Sequence, residues 1–286
     1  MKFKTIQSFI DNFRGKTDDS FVRLLTEKTD NAKNRSVKNL ILGSSHMEYG
    51  YVSSDKDFYN LASANQDIYY TYNLYKLFSS ENTKNVIFDF SVFSKGFNLA
   101  KTNSADYCAL FKLLTGIDYI DKNYAKNKGI LKKEGHFKRN INWCRKKYKV
   151  SENYNGCFEE YQFPTEFSVD VTAEERAGKH WKNHERKESM MVYLEKLLEE
   201  TRKNNQNLII VITPCTSQYK KNLPDTEKIY GELFKISSKY PNSYIINLYD
   251  DNEFSDEDFY DWDHLKYGGA LKISEKITDF IRNNIK

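Results

Sequence analysis

The chain has 286 residues, with 44 Lys and Arg against 40 Asp and Glu and a formal net charge of +4. That length fills one large domain or two small ones, and 21 Tyr and 19 Phe supply a core even though the mean hydropathy is -0.75; wholesale disorder is excluded. The charge excess is too small and too dispersed for a nucleic-acid binder, and the longest strongly apolar run, LIIVI at 208–212, cannot span a bilayer. The opening MKFKTIQSFIDNF has no apolar core of the signal-peptide kind. Cys108, Cys144, Cys157 and Cys215 are scattered, with no C-x-x-C pair. The expectation is free thiols in a reducing, cytoplasmic setting.

In chain order, VKNLILG (37–43) reads as a first strand and DFYNLA (57–62) as a second. QDIYYTYNLYKLFSS follows as a helix, with Ile68, Tyr72 and Tyr75 on one stripe. KNVIFDF (84–90) is a third strand. From 95 to 185 the strand–helix rhythm stops, and the stretch is rich in Lys, Asn and Tyr. A structureless loop that long would be unusual, so a partly helical lobe inserted into a single domain of 1–286 is expected. MMVYLEKLLEETRKN then reads as a helix buried through Met191, Leu194 and Leu198. NLIIVIT (207–213) and SYIINLY (243–249) are the last strands, and Ile273, Ile277 and Ile281 mark a closing helix. Continuous apolar runs between helices predict an α/β fold: a parallel sheet of about five strands in three layers, α/β/α.

In such sheets ligands bind beyond the carboxyl ends of the strands. The polar clusters fall there: GSSH after the first strand, NLASANQD after the second, FDFSVFS at the third, and FYDWDHLKYGGA before the last helix. Asp261 and His264 are three apart, and a tight turn can bring that carboxylate onto the imidazole. A carboxylate so placed fixes the tautomer and steadies the imidazolium, leaving the other ring nitrogen as a base. A serine needs that base to act as a nucleophile. Ser45 is available, with Ser44 as its rival and Asp263 as the alternative to Asp261.

Here the sequence resembles the SGNH (GDSL-like) hydrolases. G-S-S-H at 43–46 is similar to their first block, Gly-Asp-Ser-Leu; NLASANQDIYY resembles their second; D-W-D-H at 261–264 resembles their Asp-x-x-His block. The likeness covers about 37–95 and 205–285 and leaves out the insert. It implies a flavodoxin-like sheet and serine-dependent acyl-ester chemistry, as an O-acyl esterase or O-acyltransferase. Ser45 would be the nucleophile, His264 the base and Asp261 its orienting partner. The family's Asp and Leu of the first block are Ser44 and His46 here. Its second-block oxyanion donor, a Gly N–H, falls on Ala62. Its third-block Asn is missing, with Ser91 or Asn65 as possible replacements. No metal or organic cofactor is implied. GSS variants of cell-envelope gene sets point to an acylated or acceptor sugar or polysaccharide as partner, with peripheral membrane contact open. A rival of another class is a non-catalytic relative that binds glycan or a partner.

Three further features have plainer readings. His180 and His184 share a helix face without an H-E-x-x-H pattern and read as a solvated amphipathic helix. The basic run around Lys138, Arg139, Arg145, Lys146 and Lys147, with Trp143, reads as a solvated face or as a surface for anionic sugars. EFSDEDFYD lacks calcium-loop spacing and reads as a surface loop leading to the site.

Overall fold

Consecutive Ile, Leu and Val can be covered only when both faces of a sheet are packed. The apolar runs form such a sheet in the computed structural model of the chain, which describes residues 17–285 other than 34 and 152. The elements in chain order are α1 (Thr17–Ala32), β1 (Asn39–Leu42), α2 (Ser45–Glu48), β2 (Phe58–Asn60), α3 (Ile68–Phe78), β3 (Asn85–Asp89), α4 (Tyr107–Thr115), α5 (Lys122–Asn127), α6 (Glu134–Lys147), α7 (Ala173–His184), α8 (Met191–Lys203), β4 (Asn207–Ile212), α9 (Ser217–Lys220), α10 (Thr226–Ser237), β5 (Ser243–Asn247) and α11 (Tyr267–Asn284). They fall into two compact units, 36–98 with 157–285 and 17–35 with 99–156.

The first unit is a three-layer α/β/α fold. Its five strands lie in the order β2-β1-β3-β4-β5, every pair parallel. Register is pinned at the strand starts, where Asn39 lies opposite Asn85 and Asn85 opposite Asn207. Their amides run as a ladder: Asn85 Nδ2 donates to Asn39 Oδ1 at 2.7 Å and Asn207 Nδ2 to Asn85 Oδ1 at 2.9 Å. These buried amides are thereby satisfied. By the period of two, Ile41, Ile87, Ile209 and Val211 share one face, and Ile273 and Ile277 of α11 complete that core. α3 packs on β1, and α8 packs on both α3 and β4. In α3 the buried residues are Ile68, Tyr70, Thr71, Leu74 and Tyr75; Tyr72, expected inside, is only partly covered.

The second unit is helical. α1, α4 and α6 pack on one another, and Arg145 of α6 forks onto Asp30 of α1 through Nε at 2.6 Å and Nη2 at 2.8 Å. Trp143 is 49 % exposed on α6, with Lys147 Nζ 4.6 Å above its ring. The interval between β3 and β4 is therefore helical, with 99–156 in this unit and the remainder in the sheet unit. Among the described residues no helix is long and apolar enough to cross a membrane.

Candidate active site

β1 ends at Leu42, and the chain turns at Gly43 with φ +126°. No side chain fits there: a Cβ would lie 1.8 Å from Asp89 Oδ1. That bare approach lets Asp89, the last residue of β3, dock on the turn. It accepts from Ser44 N–H at 2.6 Å and from the Ser44 hydroxyl at 2.7 Å. Ser44 also caps α2, its Oγ accepting from His46 N–H at 3.2 Å. Ser45 is then the first helical residue, whose N–H has no acceptor within the helix.

The other half of the site is the loop before α11, closed by an antiparallel bridge between Phe259 and Leu265. Asp261 Oδ1 accepts the N–H groups of Asp263 at 3.0 Å and His264 at 2.8 Å. This Asx-type turn explains the spacing of three, because it folds the Asp261 carboxylate back under the His264 ring. Asp261 Oδ2 lies 2.8 Å from His264 Nδ1, and His264 Nε2 lies 2.8 Å from Ser45 Oγ. An ionised carboxylate only accepts, so Nδ1 carries the hydrogen and Nε2 is left to accept from Ser45. The His264 ring stacks on His46, with centroids 4.8 Å apart, and on Tyr260 at 5.7 Å. Burial pulls the His264 pKa down, but the carboxylates of Asp261 and Asp263 outweigh it and hold the imidazole above its ordinary value.

Asp263, the alternative to Asp261, lies farther from the His264 ring than Asp261 does. It is buried, with Oδ1 3.8 Å from His264 Nδ1. Arg176 of α7 grips it with two hydrogen bonds, Nε to Oδ1 at 3.0 Å and Nη2 to Oδ2 at 3.2 Å. His46 Nε2 reaches Oδ2 at 3.0 Å. Burial alone would raise this carboxyl; the Arg176 guanidinium instead holds it well below the usual carboxylate range. His180 and His184 are not solvated either. Both are buried, His180 Nδ1 2.6 Å from Tyr219 OH and His184 Nδ1 donating to the Val92 carbonyl at 2.8 Å. Burial pushes His180 well below its ordinary pKa, so it is neutral.

The positions expected to hold an oxyanion fare differently. Ala62 N–H donates inward to Asn60 Oδ1 at 3.0 Å, and Ala62 is fully buried, so this donor is already engaged. Ser91 is engaged as well: its N–H donates to Ser94 Oγ at 2.9 Å, and its Oγ lies 3.3 Å from Asp89 Oδ2 and 3.4 Å from Thr213 Oγ1. Asn65 is partly exposed with φ +64°, on the loop whose Ser63 N–H donates to the Gly43 carbonyl at 3.1 Å. His46, Asp263 and His264 bring ligand-type atoms within 4.8 Å of one another. The Asp263 oxygens already face a fixed guanidinium, however, and a cation among them would be repelled; the cluster suits protons, not a metal.

Sequence reading missed Asp89, His46 and Arg176. Asp89 had a usable signal, a carboxylate closing an otherwise apolar strand. Arg176 had none, since it comes from the helix α7, 87 residues before its partner. No family model and no curated protein matches the chain. Among solved structures it is similar to a protein from Streptococcus pneumonia provisionally described as a platelet activating factor, at 10 % identity and a TM-score of 0.47, over 98 % of this chain and 100 % of the other.

Proposed function

We propose that the chain is an SGNH-type, serine-dependent O-acyl esterase or O-acyltransferase. One observation carries the reading: the continuous line Ser45 Oγ–His264 Nε2 and His264 Nδ1–Asp261, at 2.8 Å each. In this reading Ser45 attacks the acyl carbonyl while His264 Nε2 takes its proton, within hydrogen-bond reach. The resulting imidazolium is steadied by Asp261 and then gives the proton to the leaving alcohol. Water, or a sugar hydroxyl, resolves the seryl ester. The oxyanion is assigned to Ser45 N–H together with Asn65, in place of Ala62 and Ser91, whose donors are used elsewhere. A single such donor is worth roughly 3 kcal/mol.

The test is labelling with a fluorophosphonate, which reacts only with an activated serine. The full chain should be modified at Ser45, mapped by peptide mass, and Ser45→Ala should take up none. A label on Ser44 would reverse the assignment of the nucleophile. An unlabelled wild type would leave a non-catalytic glycan- or partner-binding protein.

The finer reading places the ester on a carbohydrate or cell-envelope polysaccharide precursor. Its support is Trp143, half-exposed under Lys147, since aromatic faces suit sugar rings and cations suit acidic ones. Trp143→Ala should therefore weaken binding of an acylated polysaccharide to the full chain several-fold and leave hydrolysis of a small acetyl ester unchanged. Equal losses on both would make Trp143 a residue of the fold alone and remove the sugar assignment.

A further inference from the structure

Behind Ser45 and His264 lies a buried row of proton-bearing groups that acyl transfer by itself does not use. It runs from Asp89 Oδ2 to Ser44 Oγ at 2.7 Å, from Ser44 Oγ to His46 Nδ1 at 3.2 Å, and from His46 Nε2 to Asp263 Oδ2 at 3.0 Å. Asp89, Ser44, His46 and Asp263 are all at least nine-tenths buried. Hydrogen-bond arithmetic limits what they can hold. Asp263 is ion-paired to Arg176 and only accepts, so His46 Nε2 keeps a hydrogen. One further proton then has two possible places. On His46 Nδ1 it donates to Ser44 Oγ, and the Ser44 hydroxyl donates to the Asp89 carboxylate. On Asp89 it donates to Ser44 Oγ, and the Ser44 hydroxyl donates to a neutral His46 Nδ1. Both arrangements satisfy every short contact of the row.

We propose that Asp89, Ser44 and His46 form a proton relay that takes the proton off His46 whenever His264 becomes charged, a role that rests on His264 being the catalytic base. The two imidazole rings are stacked with centroids 4.8 Å apart, so two imidazolium ions there would repel strongly in a water-poor site. The relay removes that repulsion without solvent. The His46 Nδ1 proton passes to Ser44 Oγ as the Ser44 hydroxyl proton passes to Asp89 Oδ2. Ser44 ends as it began, His46 becomes neutral, and Asp89 becomes a carboxylic acid. Burial raises the Asp89 pKa, which makes that acid accessible. Among the described residues, the other charged groups acting on His264 are Asp261, Asp263 and Arg176, and the phenols of Tyr49 and Tyr260 lie against its ring. His180, 3.5 Å from Asp263, is kept neutral by burial and does not compete for the proton. His46 and Asp89 are thus positioning residues that set the charge beside His264, and neither touches substrate.

The experiment is a pH titration of the full chain carrying 15N-labelled histidine, read by NMR in wild type, Asp89→Asn and Ser44→Ala. In wild type, as pH falls and His264 Nε2 gains its proton, His46 Nδ1 should lose its own, giving opposite nitrogen shifts with a shared midpoint. Asp89→Asn is nearly isosteric and can still accept from Ser44 N–H, but its side chain cannot take up the proton. The reciprocal shift should vanish there, and in Ser44→Ala as well. A His46 that keeps one protonation state through the wild-type titration overturns the relay, whatever the variants do. The two readings fail separately. An unlabelled Ser45 with an intact reciprocal shift removes the acyl chemistry and leaves the proton transfer between His46 and Asp89 without its catalytic role. A fluorophosphonate-labelled Ser45 with no reciprocal shift removes the relay alone.

Discussion

Asp261→Asn should lower kcat on a small acetyl ester by about 10⁴-fold while the protein stays folded. The amide oxygen can still accept the N–H groups of Asp263 and His264 that build the turn, now held by Asp261 Oδ1. Its NH₂, however, would donate to His264 Nδ1 where Oδ2 now accepts at 2.8 Å. The ring hydrogen would move to Nε2, and Nε2 could no longer accept from Ser45. The pH profile gives an independent reading. The base must be neutral, so wild-type kcat/KM rises with pH through the His264 pKa. Burial lowers that pKa, but Asp261 and then Asp263 hold it above the ordinary 6.5. Removing the Asp261 charge should slide the limb to lower pH as the plateau drops. Retained activity in this variant would take Asp261 out of the mechanism.

Arg176→Met should destabilise the fold by about 3 kcal/mol, at the lower end of what breaking a buried ion pair costs. It strands the Asp263 carboxylate, whose side chain is 2 % exposed, among apolar and aromatic groups. His46 Nε2 still donates to it, which limits the loss. For a chain of this size the melting temperature should fall by roughly 6–12 °C. The pH dependence has a definite sign. In the wild type Asp263 titrates well below its unfolded value of about 3.9, so its ion pair stabilises above that pH and its contribution is lost as pH falls further. The wild-type contribution should therefore be full above about pH 4 and lost below it, while the gap to Arg176→Met should begin to narrow at higher pH, where the stranded carboxyl of the variant, raised by burial, takes up a proton. Arg176→Lys, which keeps the charge but not the fork, should fall in between. A variant as stable as wild type at neutral pH would mean that Asp263 is neutral in the fold.

The sequence by itself determined the sheet. The runs VIF at 86–88 and LIIVI at 208–212 are continuously apolar, and only a strand covered on both faces buries every residue of such a run, so β3 and β4 lie within a residue of where the pattern put them. It also determined the DxxH turn, because an Asp that accepts from two N–H groups just after it is a local arrangement. The proximity of Ser45 and His264, 219 residues apart, was legible only because both follow strand ends of one parallel sheet. What the tertiary structure alone decided is where each hydrogen bond goes. Ala62 N–H turns inward because Asn60, buried beside it, offers a side-chain oxygen. Asp263 turns toward His46 and Arg176 because α7 delivers a guanidinium from a region with no strand–helix rhythm to read. His180 and His184 are buried rather than solvated because Tyr219 and the Val92 carbonyl meet their ring nitrogens. Periodicity records which faces are apolar; it carries no record of the distant partner that satisfies a buried polar atom, and that partner fixes the protonation of each group around Ser45.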